Sequence, residues 1–212
     1  MPPAQPLRAP LRRAFFNRDP RVVSPDLLGK VLVRRSGRAI LSARIVEVEA
    51  YLGENDPAAH TAAGRTLRNA VLFGPPGFAY VYFIYGNHYC LNVSCLPNGV
   101  AGGILIRALE PLTGVKQMAR ARSVPVAEER DLKKLTSGPG RLAEAFGITR
   151  DRDNGKNLTS AASDLFITQD SYRATGILAT PRIGITKASA LPLRFVIPGN
   201  KFLSGSAKLQ QA

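Results

Sequence analysis

Phe78 to Cys95 is the stretch that most narrows the folds open to this chain. Phe78-Ala-Tyr80-Val-Tyr82-Phe-Ile-Tyr85 holds five aromatic residues in eight and alternates as a pleated strand does, with the turn-like Gly74-Pro-Pro-Gly77 ahead of it. Gly86-Asn87 follows, and His88 to Cys95 reads as a second strand. Glycine in the first position of a two-residue connection suits a type II′ turn, and strands joined this closely pair antiparallel. Tyr85 is then expected at or near the hairpin tip. Tyr80 and Phe83 read as ordinary strand-forming aromatics of a core.

A second alternation runs over Ile45-Val-Glu47-Val-Glu49-Ala-Tyr51. A period of two puts Ile45, Glu47, Glu49 and Tyr51 on one face and Val46, Val48 and Ala50 on the other. The valine face suits a core; the carboxylate face, taken alone, suits solvent as well as a site. Gly102 to Glu110 reads as a buried strand with one cation, Arg107, inside it. Such a charge needs a partner, and Glu47 and Glu49 are the evident candidates. Further strands are expected at Val31–Val33, Leu165–Ile167, Arg182–Ile185 and Leu193–Ile197. A short capped helical turn begins at Ser24, and Arg34 to Arg38 makes a hairpin turn. Helical patterns run over Thr113–Arg122, Glu128–Leu135, and from Ser137-Gly-Pro139 to Gly147. The polar stretches 151–157 and 160–164 read as surface loops.

With no βαβ order in this succession, the fold class is α+β: a single domain with a curved, largely antiparallel sheet, surrounding helices and a protruding β-hairpin. The expected division is a flexible basic arm over residues 1–21, a main domain over 22–204 and a loose tail over 205–212.

Charge narrows the partner. The chain carries 29 Lys+Arg against 15 Asp+Glu, which points to a polyanion, either nucleic acid or an anionic membrane surface. No apolar run approaches a membrane span and no secretory signal is evident, so a cytoplasmic protein is expected. Two cysteines, Cys90 and Cys95, neither make a disulfide framework nor match zinc spacing, and both are expected buried and reduced. Against the basic background, Glu47 to Ala59 holds four acids and no Lys or Arg, while five of the six tyrosines and both histidines lie before residue 90. Carboxylates beside a polyanion contact surface weaken binding, so their clustering here is chemical in character. A carboxylate next to an aromatic, an aromatic hairpin and a positive surface together suit chemistry on an extruded nucleobase. Extrusion costs a few kcal/mol and stacking on an aromatic returns about 1–3 kcal/mol per base. Two other readings stay open: a non-catalytic nucleic-acid binder, and a metal-dependent nuclease with Glu47, Glu49 and Asp56 as ligands.

Several blocks then carry a resemblance. Glu47-Val-Glu49-Ala-Tyr51-Leu-Gly53, Ala58-Ala-His60, Arg68-Asn69, Tyr80-Val-Tyr82-Phe-Ile-Tyr85-Gly86, Cys90-Leu-Asn92, Arg107-Ala-Leu-Glu-Pro111, Ser137-Gly-Pro139 and Leu193-Arg-Phe195 occur in consistent order between about Val22 and Ser204. Together they resemble the alkyladenine (3-methyladenine) DNA glycosylase family. The resemblance implies catalytic roles for Glu49, as the base that activates water, and for Arg107, which helps hold that water. It implies a base pocket walled by Tyr51, His60 and Tyr82, with Asn92 discriminating against guanine, Tyr85 filling the gap left by the flipped nucleotide, and Glu47 in support. Asn87 departs from the pattern, because the family more often has Met at that tip. The implied activity is hydrolysis of alkylated or deaminated purines from double-stranded DNA to an abasic site, without a metal, a cofactor or a Schiff-base lysine. A monomer associated with the nucleoid, and not with a membrane, is expected.

Overall fold

The computed structural model describes residues 8–84 and 86–205. Its elements run α1 (Arg13–Phe16), α2 (Pro20–Leu27), β1 (Val31–Ser36), β2 (Ala39–Tyr51), β3 (Ala79–Ile84), β4 (His88–Ser94), β5 (Gly103–Thr113), α3 (Val115–Ala121), α4 (Lys133–Thr136), α5 (Pro139–Ala145), α6 (Arg150–Asp153), β6 (Leu165–Thr168), β7 (Leu178–Thr180) and β8 (Arg194–Val196). All recorded strand pairs are antiparallel, in the order β3-β4-β5-β2-β1-β6, and β8 joins the far half of β2 with β7 beside it. The α+β class and antiparallel sheet expected from the sequence are those observed. Among the described residues, no helix is long and apolar enough to cross a membrane.

The sheet has two buried faces. On one, Val46, Val48, Val81, Leu91, Val93, Ile104 and Ile106 form the main core with Val23 and Leu27 of α2, Met118 of α3 and Leu142 and Ala145 of α5. On the other, the alternate residues Tyr80, Tyr82, Cys90 and Leu105 form a separate cluster against Leu72 and the half-buried Tyr51. Strand alternation is thus what sends the polar and aromatic side chains away from the main core. The solvent reading of the Glu47 and Glu49 face is overturned, since both are fully buried.

Two of the three register shifts between β2 and β5 refine the pattern near the acids. Ile45 pairs with Leu109, Glu47 with Ala108 and Val48 with Ile106, so Val46 on β2 and Arg107 on β5 each stand without a partner opposite. Bulges of this kind turn side chains away from strict alternation. Ile45 accordingly sits with Val46 and Val48 in the main core, not on the face of Glu47 where alternation had placed it.

Several boundaries differ from expectation, each for a local reason. α2 begins at Pro20 because the Asp19 carboxylate accepts the Arg21 N–H at 2.8 Å and Pro20 occupies the first turn. Within the segment expected to be a flexible arm, Pro10 bridges Thr168, the Leu11 N–H donates to the Ile167 carbonyl at 2.8 Å and Phe16 is fully buried. Residues 1–7 and 206–212 lie outside the described residues. In the hairpin, Ile84 pairs with His88, so three residues connect the strands where two were expected; Gly86, at φ +74°, supplies the left-handed conformation and the Asn87 N–H reaches the Ile84 carbonyl at 3.4 Å. Phe83, expected in the core, is 44% exposed against Tyr89, whereas Tyr80 is buried. No strand forms over 182–185.

The polar interval 151–164 is not wholly a surface loop. Asp153 is fully buried and meets the equally buried Arg34 of β1 at 2.7 Å; Arg34 also reaches Asp164 at 3.0 Å and the Phe146 carbonyl at 3.2 Å. Removing one partner from a buried pair typically costs about 3–5 kcal/mol. Because Asp164 still faces Arg34, the lower end applies. Asp153→Ala is expected to lower the unfolding free energy by about 3 kcal/mol in a denaturant titration, and a loss under about 1 kcal/mol would show that the pair contributes little.

Candidate active site

One lateral row of paired residues builds the floor of the site. Tyr80 on β3 lies opposite Asn92 on β4, Asn92 opposite Leu105 on β5, Leu105 opposite Glu49 on β2, and Glu49 opposite Arg194 on β8. Paired residues share a face, so five strands deliver side chains to one place. Above the row is a cavity of about 430 Å³ whose walls include Tyr51, His60, Tyr82, Asn92, Arg107 and Ile183.

Beneath it lies a buried charge cluster. Arg107 Nε donates to Glu47 Oε1 at 2.9 Å and its Nη1 lies 3.2 Å from Glu49 Oε1. Glu47 Oε1 also accepts from Arg194 Nε at 2.8 Å and from Ser204 Oγ at 2.7 Å, and its Oε2 accepts the Ser204 N–H at 2.6 Å. Two carboxylates therefore face two guanidinium groups, which is how four charges survive away from water. Arg107 is drawn in two directions: burial works to lower its pKa, but Glu49 and Glu47 outweigh it and hold the pKa above its usual value. The partner inferred for Arg107 from sequence is the partner found.

Glu49 is held on three sides. Its Oε1 also accepts the Ile183 N–H at 2.8 Å, and its Oε2 accepts the Tyr51 hydroxyl at 3.0 Å. The carboxylate has no exposure of its own; Tyr51, Arg107 and Ile183 stand between it and the cavity they line. Burial, then the nearby Glu49 charge, push the Tyr51 phenol well above the usual range, so it stays a neutral donor.

The aromatic walls form a connected set. His60 meets Tyr82 edge-on with ring centres 4.4 Å apart, its Nδ1 lies 3.0 Å from the Tyr80 hydroxyl, and Tyr80 and Tyr82 are 5.6 Å apart. Asn92 Nδ2 is anchored to the Tyr80 carbonyl at 3.3 Å. Of the residues singled out in the sequence, Tyr51, His60, Tyr82, Asn92 and Arg107 line one cavity, with Glu49 and Glu47 directly behind. Tyr85 lies outside the described residues. Cys90 and Cys95 are buried free thiols.

Sequence reasoning missed the ion pair that backs Tyr51 and the segment of Ile183. Arg182 and Asp56 form a buried two-point pair at 2.5 and 2.9 Å; the guanidinium lies 4.7 Å from the Tyr51 ring centre, and Nη1 donates to the Ala50 carbonyl at 3.0 Å. This pair holds the segment whose next amide, Ile183, binds Glu49. Asp56 stood in the sequence only as a possible metal ligand and Arg182 only as a strand residue. Each of Glu47, Glu49 and Asp56 is instead engaged by arginine, which removes the donor set the nuclease reading needs. Gly53 lets this corner close: at φ +85°, a Cβ there would sit 2.1 Å from the Ala101 carbonyl oxygen.

Comparisons with known proteins agree along nearly the whole chain. A family model described as methylpurine-DNA glycosylase (MPG) matches residues 14–201. A protein of Koribacter versatilis, provisionally named a 3-methyladenine DNA glycosylase, is 65% identical over 201 residues, covering 95% of this chain and 96% of its own length. Similarly named proteins of Burkholderia cenocepacia and Rhodopseudomonas palustris are 50% and 46% identical, over 92% and 96% of this chain and 90% and 95% of their own lengths.

His60, at the cavity mouth, has its pKa lowered from 6.5 by burial and then by the Arg68 charge. The unfolded chain therefore takes up this proton first as pH falls. The imidazole's contribution to stability is present above about pH 6.5 and is lost as pH falls through the folded-state pKa. An NMR titration of the native protein is expected to place the His60 midpoint below 6.5, and Arg68→Ala to raise it; a native midpoint at or above 6.5 would contradict the burial argument.

Proposed function

The chain belongs to the methylpurine-DNA glycosylase family, and from the premise that it is a DNA glycosylase for alkylation damage we propose how it acts. It turns an alkylated or deaminated purine out of duplex DNA into the cavity. There it hydrolyses the N-glycosidic bond and leaves an abasic site. The observation that carries this reading is the placement of Glu49, gripped by Arg107, Tyr51 and the Ile183 amide immediately behind an aromatic-walled cavity.

Tyr51, Tyr82 and the neutral His60 hold the base by stacking. A cationic methylpurine gains further from the electron-rich tyrosine faces, and an uncharged imidazole does not repel it. Asn92, tied to the Tyr80 carbonyl, is in this reading the side chain that excludes a normal guanine through its amino group. Seating the base displaces the Tyr51 hydroxyl from Glu49 Oε2 and opens that oxygen to a water molecule. As the glycosidic bond lengthens, positive charge builds on the sugar and the ionised carboxylate stabilises it. Water adds to the anomeric carbon and its proton passes to Glu49. The bonding electrons leave with the base: for a methylated purine they discharge its positive charge, whereas a neutral deaminated purine leaves as an anion that takes up a proton from solvent. Glu49 returns its own proton to solvent. Arg107 keeps the carboxylate oriented throughout. None of the described residues lining the cavity is a lysine, which supports simple hydrolysis without a Schiff base. A single copy of the chain is sufficient for this reading, and it acts on the chromosome in the cytoplasm.

Glu49→Gln tests it. Single-turnover release of 3-methyladenine from methylated duplex should fall by about 10²–10⁴-fold, the usual worth of a positioned base, while binding to the same duplex stays within about threefold. Release at an undiminished rate would remove Glu49 from the chemistry.

A further inference from the structure

Leu67 is 99% exposed, while the other exposed large apolar side chains among the described residues lie at 50% or below. It is not on a slack loop. The buried Asn69 clamps the segment: its Oδ1 accepts the Thr66 N–H at 2.7 Å, and its Nδ2 donates to the Gly64 carbonyl at 3.0 Å and to the His60 carbonyl at 2.9 Å. The same clamp that holds Leu67 outward thus holds His60 in the cavity wall. Arg68, the next residue, turns back so that its guanidinium lies 6.0 Å from the Tyr82 ring centre.

Along the chain, the charge around Leu67 has one sign. Arg65 and Arg68 flank it, both exposed, and no Asp or Glu occurs between Asp56 and Glu110. An apolar tip between two cations, at the rim of an aromatic cavity, fits a partner whose outside is anionic and whose inside is a stack of rings. Duplex DNA has that chemistry, and leucine is among the side chains that enter base steps.

We propose that Leu67 is a second apolar contact to the duplex, entering the base stack beside the extruded nucleotide while Arg65 and Arg68 hold the adjoining phosphates. This rests on reading the cavity as the seat of a base turned out of duplex DNA.

The test compares the wild-type chain with Leu67→Ala and Leu67→Met on a duplex carrying one stable abasic-site analogue and on the same strand unpaired. Leu67→Ala is expected to weaken duplex binding five- to tenfold and single-strand binding less than twofold, at an unchanged thermal midpoint, with Leu67→Met restoring duplex affinity. Arg65→Ala and Arg68→Ala should weaken both substrates and flatten the salt dependence, as lost phosphate contacts do. Duplex binding by Leu67→Ala within twofold of wild type, or equal losses on both substrates, would overturn the proposal. Release of methylpurine by the wild type is measured alongside. If it is absent, the glycosylase reading of the cavity fails; if it is present and Leu67→Ala binds duplex as wild type does, only the Leu67 contact fails.

Discussion

Arg107, lodged between Glu47 and Glu49 on the cavity face of the sheet, is the interaction on which the remainder of the molecule leans. A guanidinium in an otherwise apolar strand is tolerable only with its charge answered, and each carboxylate in turn needs donors on its free lone pairs. Meeting those needs draws in Arg194 from β8, the hydroxyl and amide of Ser204 near the end of the described chain, and the Ile183 amide from the segment after β7. Segments more than a hundred residues apart are thereby registered against one another to within a hydrogen bond. Local unfolding of the C-terminal stretch would leave Glu47 short of two donors, so Glu47, and through Arg107 Glu49 as well, is tied to the integrity of that stretch.

The sheet divides labour between its faces. One side, covered by α2, α3 and α5, is a close-packed aliphatic core that fixes strand positions. The other carries rings and carboxylates in lateral register, so the distances between functional groups are set by strand spacing and not by loops. Loops contribute side chains that hydrogen bonds hold in place. The clamped Gly64–Asn69 segment holds His60, and the Arg182–Asp56 pair props Tyr51 from behind. A cavity built this way is preorganised before any ligand arrives, which reduces the ordering that binding must accomplish.

Much of this could be read from the chain because alternation and burial conspire in single residues. Arg107 interrupting Ile104-Leu-Ile106 announces a buried cation, and Glu47 and Glu49, two apart, are the acids with the matching period. Tyr82 and Asn92 were singled out only through the family resemblance, and the hairpin that brings β3 and β4 together is why they share a face. Arg182 and Asp56 were not, because 126 positions separate them and each looks like an ordinary surface charge until the chain folds back. Arg34 and Asp153 escaped notice for the same reason, and the polar composition of 151–164 suggested solvent where one of its acids is wholly enclosed.

What the amino-acid sequence determined by itself was therefore of short range: most of the strand segments, the pairing of the hairpin strands, the common face of Glu47, Glu49 and Tyr51, and the polyanionic kind of partner that an excess of arginine and lysine attracts. What only the tertiary structure decided was which charges answer one another across long separations, where paired bulges shift Ile45 off the acid face, and that Tyr51 covers Glu49 from the cavity. The reason is physical. Backbone periodicity is a property of neighbouring residues, whereas neutralising a buried charge depends on every group that packing brings within a few ångströms of it.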